Sequence, residues 1–144
     1  MTKTNTVLMS ASALEKMDTL ISMKPGRSAK DVAPTGSMQP LLDENYIVIV
    51  EPRPFENLMR GDIVLFRGDW VNGLPVAHRV VGRSPLGRGW QTKGDHCRGV
   101  DPQCLTQDKY KGCVVVAAVH KITGQVKQFT AADDLSVEGK TMLQ

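Results

Sequence analysis

Gly61-Asp62-Ile63-Val64-Leu65-Phe66, then Asn72-Gly73, then Val76-Ala77-His78-Arg79-Val80-Val81 is the stretch that decides the fold. β-Branched and aromatic residues lie on either side of an Asn-Gly pair. That pair is a strong hairpin signal, because a type I′ turn needs positive φ at both central residues. The pattern predicts antiparallel arms over Asp62–Val71 and Leu74–Gly82, joined by a two-residue turn. In that register Val71 faces Leu74 and Arg67 faces His78. Side chains alternate along a strand, so Val76, His78 and Val80 share one face.

Working outward, Tyr46-Ile47-Val48-Ile49-Val50 is a β-branched run that reads as a buried strand, broken by Pro52 and Pro54. Downstream, Ser84–Gly89 is a loop, Trp90-Gln91-Thr92-Lys93 a short strand, and residues 94–109 loop-like. Cys113–Val119 is the most apolar run and the expected central strand. Short strands separated by turns predict a mainly β fold. Residues 1–33 form an N-terminal arm with one short helix. Ser10 or Ser12 caps it, and Leu14, Met17, Leu20 and Ile21 recur at helical spacing. Lys24-Pro25-Gly26-Arg27-Ser28 ends it. The arm either packs on the body or offers its helix to a partner. Residues 34–130 form the main domain, and residues 131–144 a polar C-terminal tail.

Composition narrows the function classes. A chain of 144 residues holds one domain with one core. Hydrophobic residues at 41% and charged residues at 23% exclude a disordered chain. The net charge of +3 comes from scattered Lys and Arg, which is no nucleic-acid footprint. No apolar stretch approaches the roughly 20 residues that span a bilayer, so the expectation is a soluble chain of the cytoplasm or a virion. Cys97, Cys104 and Cys113 are odd in number and lack a C-x-x-C, which reads as free thiols. His96-Cys97 beside Cys104 brings metal-ligand side chains together in sequence, but the spacing matches none of the usual sites. The expectation is no metal and no cofactor.

The chemistry centres on Pro34-Thr35-Gly36-Ser37-Met38-Gln39-Pro40. Gly36 lets the backbone turn tightly or take positive φ, and Pro40 bars a helix from continuing. The result is a stiff loop that displays the Ser37 hydroxyl. A serine hydroxyl needs a base to become a nucleophile, and imidazole titrates near neutrality. Of His78, His96 and His120, only His78 sits on a hairpin arm that would hold it rigidly. His120 follows an apolar strand and reads as structural, and a lone histidine on a strand is commonly structural too. A carboxylate on the far imidazole nitrogen would fix its tautomer. Asp95 and Asp101, six residues apart in one loop, are both candidates. The Ser37 backbone N–H and the Thr35 hydroxyl are candidate oxyanion donors, although such a hydroxyl commonly bonds its own loop backbone.

Thr35-Gly36-Ser37-Met38-Gln39-Pro40, Arg60-Gly61-Asp62-Ile63-Val64-Leu65-Phe66, Ala77-His78-Arg79-Val80-Val81 and Thr92-Lys93-Gly94-Asp95 together resemble the successive motifs of the type I signal peptidases. They come in the family's order, from about Pro34 to Val119. His78 in His-Arg-Val-Val is similar to the archaeal and endoplasmic-reticulum branch, which uses Ser–His–Asp where the typical bacterial branch has lysine. The resemblance implies a signal-peptidase/LexA-like catalytic β-fold over residues 34–130. It implies a serine endopeptidase with Ser37 as nucleophile, His78 as base, Asp101 as orienting acid and Thr35 as oxyanion donor. It also implies a pocket for a small residue before the cut. Three departures stand out. The family's N-terminal membrane anchor is missing, its Gly-Asp-Asn motif reads Gly94-Asp95-His96, and Pro102-Gln103 replace the arginine after the second acid. The expected partner is a protein or peptide substrate, with an extended segment laid on a strand edge. The rivals are a LexA-like self-cleaving regulator, for which only Lys93 could be the base, and a non-catalytic interaction protein that keeps the fold.

Overall fold

A computed structural model of the chain describes residues 8–33, 35–67, 74–85, 87 and 89–129. Among them the strands β1 (Ser28–Lys30), β2 (Tyr46–Pro52), β3 (Ile63–Arg67), β4 (Pro75–Arg83), β5 (Trp90–Lys93), β6 (Tyr110–His120) and β7 (Val126–Gln128) form one antiparallel sheet. The order is β1-β2-β6-β3-β4-β5, and β7 also pairs with β6. The long strand β6 is central as expected. One edge carries β2, and the other is shared by β3 and β7. The protein is thus mainly β with one short helix, α1 (Ala11–Ser22). No helix among the described residues is long and apolar enough to cross a membrane.

The β2 run lacks a polar alternation because both faces of the strand are covered. Tyr46, Val48 and Val50 face a core that contains Ile63, Leu65, Ala77 and Ala118. Ile47 and Ile49 face the other way, with Ala117 and Val119, against α1. Ser10 caps α1 by accepting from the Ala13 N–H at 3.0 Å. Met17, Leu20 and Ile21 pack inward as expected, whereas Leu14 stays 45% exposed and its neighbour Ala13 is buried in its place. Arg27 Nη1 donates to the Leu20 carbonyl at 3.0 Å and its Nε to Glu51 at 3.2 Å, which ties the helix end to β2. The arm therefore packs on the body. It also adds strand β1 to the sheet, with Lys30 opposite Val48. Residues 131–144 lie outside the described residues.

The hairpin register differs from the expectation. Val64, not Arg67, faces His78, and Arg67 faces Pro75. The Asn72-Gly73 turn lies outside the described residues. The cause is burial. A shift of three places moves every side chain to the other face. The observed register puts Ile63, Leu65 and Ala77 in one core, and Val64, Phe66 and Val80 in a second with Trp90 and Leu105. The far edge of β3 is also held, by Arg67 N–H to the Lys109 carbonyl at 2.9 Å.

Strand β6 gives the fold an alkaline weak point. Tyr110 donates its hydroxyl to the Arg53 carbonyl at 2.8 Å. Burial pushes its phenol far above the ordinary 10.0, and burial pushes the Cys113 thiol above 9.0. The folded state therefore keeps protons that the unfolded chain releases. Stability falls as pH rises wherever the folded state binds more protons. Urea melts should show ΔG of unfolding falling above about pH 9, by up to roughly 1.4 kcal/mol per pH unit for each retained proton. Tyr110→Phe should flatten the upper part of that fall and Cys113→Ala the lower. An unchanged slope in both variants would contradict this account.

Candidate active site

Ser37 lies in the loop between β1 and β2. Gly36 takes a φ of 78° there, in the left-handed region that a side chain would disfavour. Met38 and Leu42 anchor the loop in the core beside Leu65 and Ala77. Strand β5 pairs with β4 only from Arg79 onward. The earlier part of β4 leaves that edge open, and Ala33 N–H closes on the Pro75 carbonyl there at 2.8 Å. This brings the serine loop over the end of β4 and onto His78.

His78 Nε2 lies 2.9 Å from Ser37 Oγ, and its Nδ1 lies 2.6 Å from Asp101 Oδ2. The ring is almost wholly buried and packs edge-on to Phe66 at 5.5 Å. With Nδ1–H donating to the carboxylate, Nε2 turns its lone pair to the serine hydroxyl, which is the tautomer a base requires. Of the two candidate acids, Asp101 therefore meets the imidazole.

Asp95 does not. Both of its oxygens are taken by Arg79, from Nε at 2.9 Å and Nη2 at 2.7 Å. Arg79 is 5% exposed, and its Nη1 also donates to the Gly61 carbonyl at 3.2 Å. A bidentate, desolvated pair of this kind locks orientation. Asp95, the other candidate for the orienting acid, is thus held by a guanidinium instead of the imidazole. The cause is strand alternation: Arg79, next to His78, points to the opposite face, where Asp95 closes the β5 end.

Thr92 is the residue that sequence reasoning missed. It is 1% exposed, and its hydroxyl donates to Asp101 Oδ2 at 2.6 Å, the same oxygen that meets His78. Its carbonyl also accepts the Asp101 N–H at 2.7 Å. The signal was available: Trp90 and Thr92 alternate inward on β5, and a buried hydroxyl requires a partner.

The two loops that carry Ser37 and Asp101 are pressed together. The Ser37 carbonyl accepts the His96 N–H at 2.8 Å. A Cβ on Gly94 would lie 2.6 Å from the Ser37 carbonyl oxygen and 2.8 Å from Ser37 Cβ, so only glycine fits. Thr35 Oγ1 lies 2.7 Å from Ser37 Oγ and accepts the Ser37 N–H at 3.2 Å. The two expected oxyanion donors thus bond one another at rest. With its lone pair on that N–H, the Thr35 hydroxyl can donate to Ser37 Oγ, which in turn donates to His78.

Two hollows flank the pair. A pocket of about 20 Å³ is lined by Ser37 with Ala33, Gly36, Leu42 and Ala77. A cleft of about 470 Å³ is lined by His78 and Asp101.

Other candidates fall elsewhere. Lys93 Nζ donates to the Gly94 carbonyl at 3.3 Å. His120 Nδ1 accepts the Ile122 and Thr123 N–H groups, each at 3.2 Å, and its ring packs on Tyr46, a structural role. Cys97, Cys104 and Cys113 are free thiols, and no three His, Cys, Asp or Glu side chains cluster as a metal site among the described residues. No family model and no curated protein matches the chain, so a functional reading rests on this geometry and on the motifs.

Proposed function

We propose that the chain is a serine endopeptidase with a signal-peptidase-like catalytic fold, which cuts a protein or peptide precursor after a small residue. The observation that carries this is the hydrogen-bonded line from Ser37 Oγ through the His78 ring to Asp101. His78 Nε2 takes the Ser37 proton as Oγ attacks the scissile carbonyl. The tetrahedral oxyanion is held by the Ser37 N–H and, once it rotates, the Thr35 hydroxyl. Collapse breaks the C–N bond, and His78 passes its proton to the leaving amine. Water then attacks the acyl-enzyme by the same route in reverse. Asp101 stays ionised and stabilises the imidazolium. The scheme calls on no metal or cofactor.

Two further observations support the reading. The pocket of about 20 Å³ beside Ser37 has room for little more than a methyl group. The part of β4 between the Pro75 carbonyl, which Ala33 takes, and Arg79 has no β5 partner and offers an extended substrate a short stretch of strand to pair with. The Ser–Lys alternative finds no support, since Lys93 bonds its own neighbour. A fluorophosphonate probe tests the proposal. Wild-type protein should be labelled on the tryptic peptide that contains Ser37, and Ser37→Ala should not. Absence of labelling in the wild type, together with no cleavage of any precursor by mass spectrometry, would leave the inert-fold alternative standing.

A further inference from the structure

Strand β4 offers less free edge than its length suggests. Val80 N–H donates to the Asp62 carbonyl at 2.7 Å, so the backbone of Val80 faces the β3 side. Backbone groups along a strand alternate between its two neighbours, and the β3–β4 register runs without a shift from Arg79 to Pro75. Val76 and His78 therefore also face β3, while Pro75, Ala77 and Arg79 face the other way. Arg79 lies opposite Lys93 of β5. The Pro75 carbonyl is taken by the Ala33 N–H at 2.8 Å, and a proline has no N–H of its own to give. Between β5 and Ala33, only Ala77 turns its N–H and carbonyl to the gap.

Ala33 ends a short strap, residues 31–33, that runs on from β1 to this edge. Asp31 Oδ1 lies 3.0 Å from Lys121 Nζ, and the Lys121 side chain is 8% exposed. Lys121 is a fixed post, because its N–H donates to the Asn45 carbonyl at 2.7 Å and its carbonyl accepts the Ser10 N–H at 2.8 Å. The Ala33 carbonyl is held too, by the Thr35 N–H at 2.9 Å. Val32 and Ala33 also help to wall the small pocket beside Ser37. That pocket takes the residue before the cut in the proposed peptidase reading, on which this inference rests, so the strap lies on the acyl side of the bond. We propose that residues 31–33 are an autoinhibitory strap, latched by Asp31 on Lys121, which a longer extended substrate must lift from Pro75. With the strap closed, a substrate pairs with Ala77 alone and recognition stops next to the cut. With the latch released, residues further upstream count.

Phosphonate probes of two lengths test this. Acetyl-Ala diphenyl phosphonate offers only the residue before the cut, and acetyl-Val-Thr-Val-Ala diphenyl phosphonate adds an extended segment upstream. On the wild-type chain the two should label Ser37 at rates within about twofold of each other, because the strap denies the longer one its strand edge. The double variant Asp31→Ala/Lys121→Met removes the latch and leaves no buried ammonium without its partner. In it the long probe should gain about fivefold or more, the worth of one regained backbone bond, while the short probe is unchanged. The Ala33 amide should also exchange with solvent about tenfold faster than in the wild type, which reports the strap itself. A matching thermal melt confirms that the variant folds. A long probe that already labels the wild type far faster than the short one overturns the proposal. So does an unchanged ratio of the two rates in the variant, or an Ala33 amide that exchanges no faster there. In each of these cases labelling by the short probe leaves the peptidase standing. Ser37 labelled by neither probe removes the peptidase reading, and the strap with it.

Discussion

Ser37→Ala and His78→Ala should each lose turnover by a factor of about 10⁴ to 10⁶, with the double variant no slower than either alone. The hydroxyl and the imidazole share one proton across 2.9 Å, so removing either removes the same step. What remains comes from the oxyanion donors and substrate binding, which neither change touches. Stability separates the two. Ser37 is partly exposed and its loss leaves the core intact. His78 is buried against Phe66, so His78→Ala opens a cavity, and His78→Gln is the companion that keeps volume. The check is kcat on a peptide substrate beside a thermal melt of each variant. Near-wild-type turnover in Ser37→Ala would end the serine-peptidase reading.

The two aspartates separate into a kinetic and a thermodynamic effect. Asp95→Ala strands a guanidinium that is 5% exposed, and removing one partner of a buried pair costs about 3–5 kcal/mol. The β5 end and the following loop should loosen, with a large drop in melting temperature. Asp101→Asn does something else. The amide can still hold the ring but favours the wrong tautomer and cannot offset the imidazolium charge, so kcat falls about 10⁴-fold while the fold persists. Thr92→Val should fall between them. It removes one of two grips on Asp101 Oδ2 and lowers kcat by about tenfold or more with little change in KM, and Thr92→Ser should restore it. Paired kinetics and melts on Asp95→Ala and Asp101→Asn decide the assignment. If Asp101→Asn is fully active, the acid role is misplaced.

The sequence was legible where local rules act alone. β-Branched runs marked β2 and β6, the serine cap marked α1, and Gly36 announced a positive φ. It misled where packing outweighs a local preference. Asn72-Gly73 implied a two-residue turn, but the burial of Val64 and Phe66 on the His78 face fixed a register three residues away. Strands β1 and β7 have only three residues each, too few to show a period, and exist because β2 and β6 present edges to them. The pair at the site spans 41 residues of sequence and the acid another 23, so no spacing rule could join them. Only the family resemblance preferred Asp101 over Asp95. The Arg79 partnership explains the difference, because a carboxylate with both oxygens on one guanidinium has none left for an imidazole.

The close approach at Gly94 bears on redesign. The nucleophile and its acid sit on different loops, yet the Ser37 carbonyl rests against the Gly94 backbone and accepts the His96 N–H. The two loops behave as one casting. A graft that moved the 35–40 segment alone into another scaffold would carry the serine but not the surface that aims it. Swapping the 94–101 segment to retune the acid would displace the serine by the width of whatever side chain replaced the glycine. The transferable unit is the pair of loops together with the β4 edge between them.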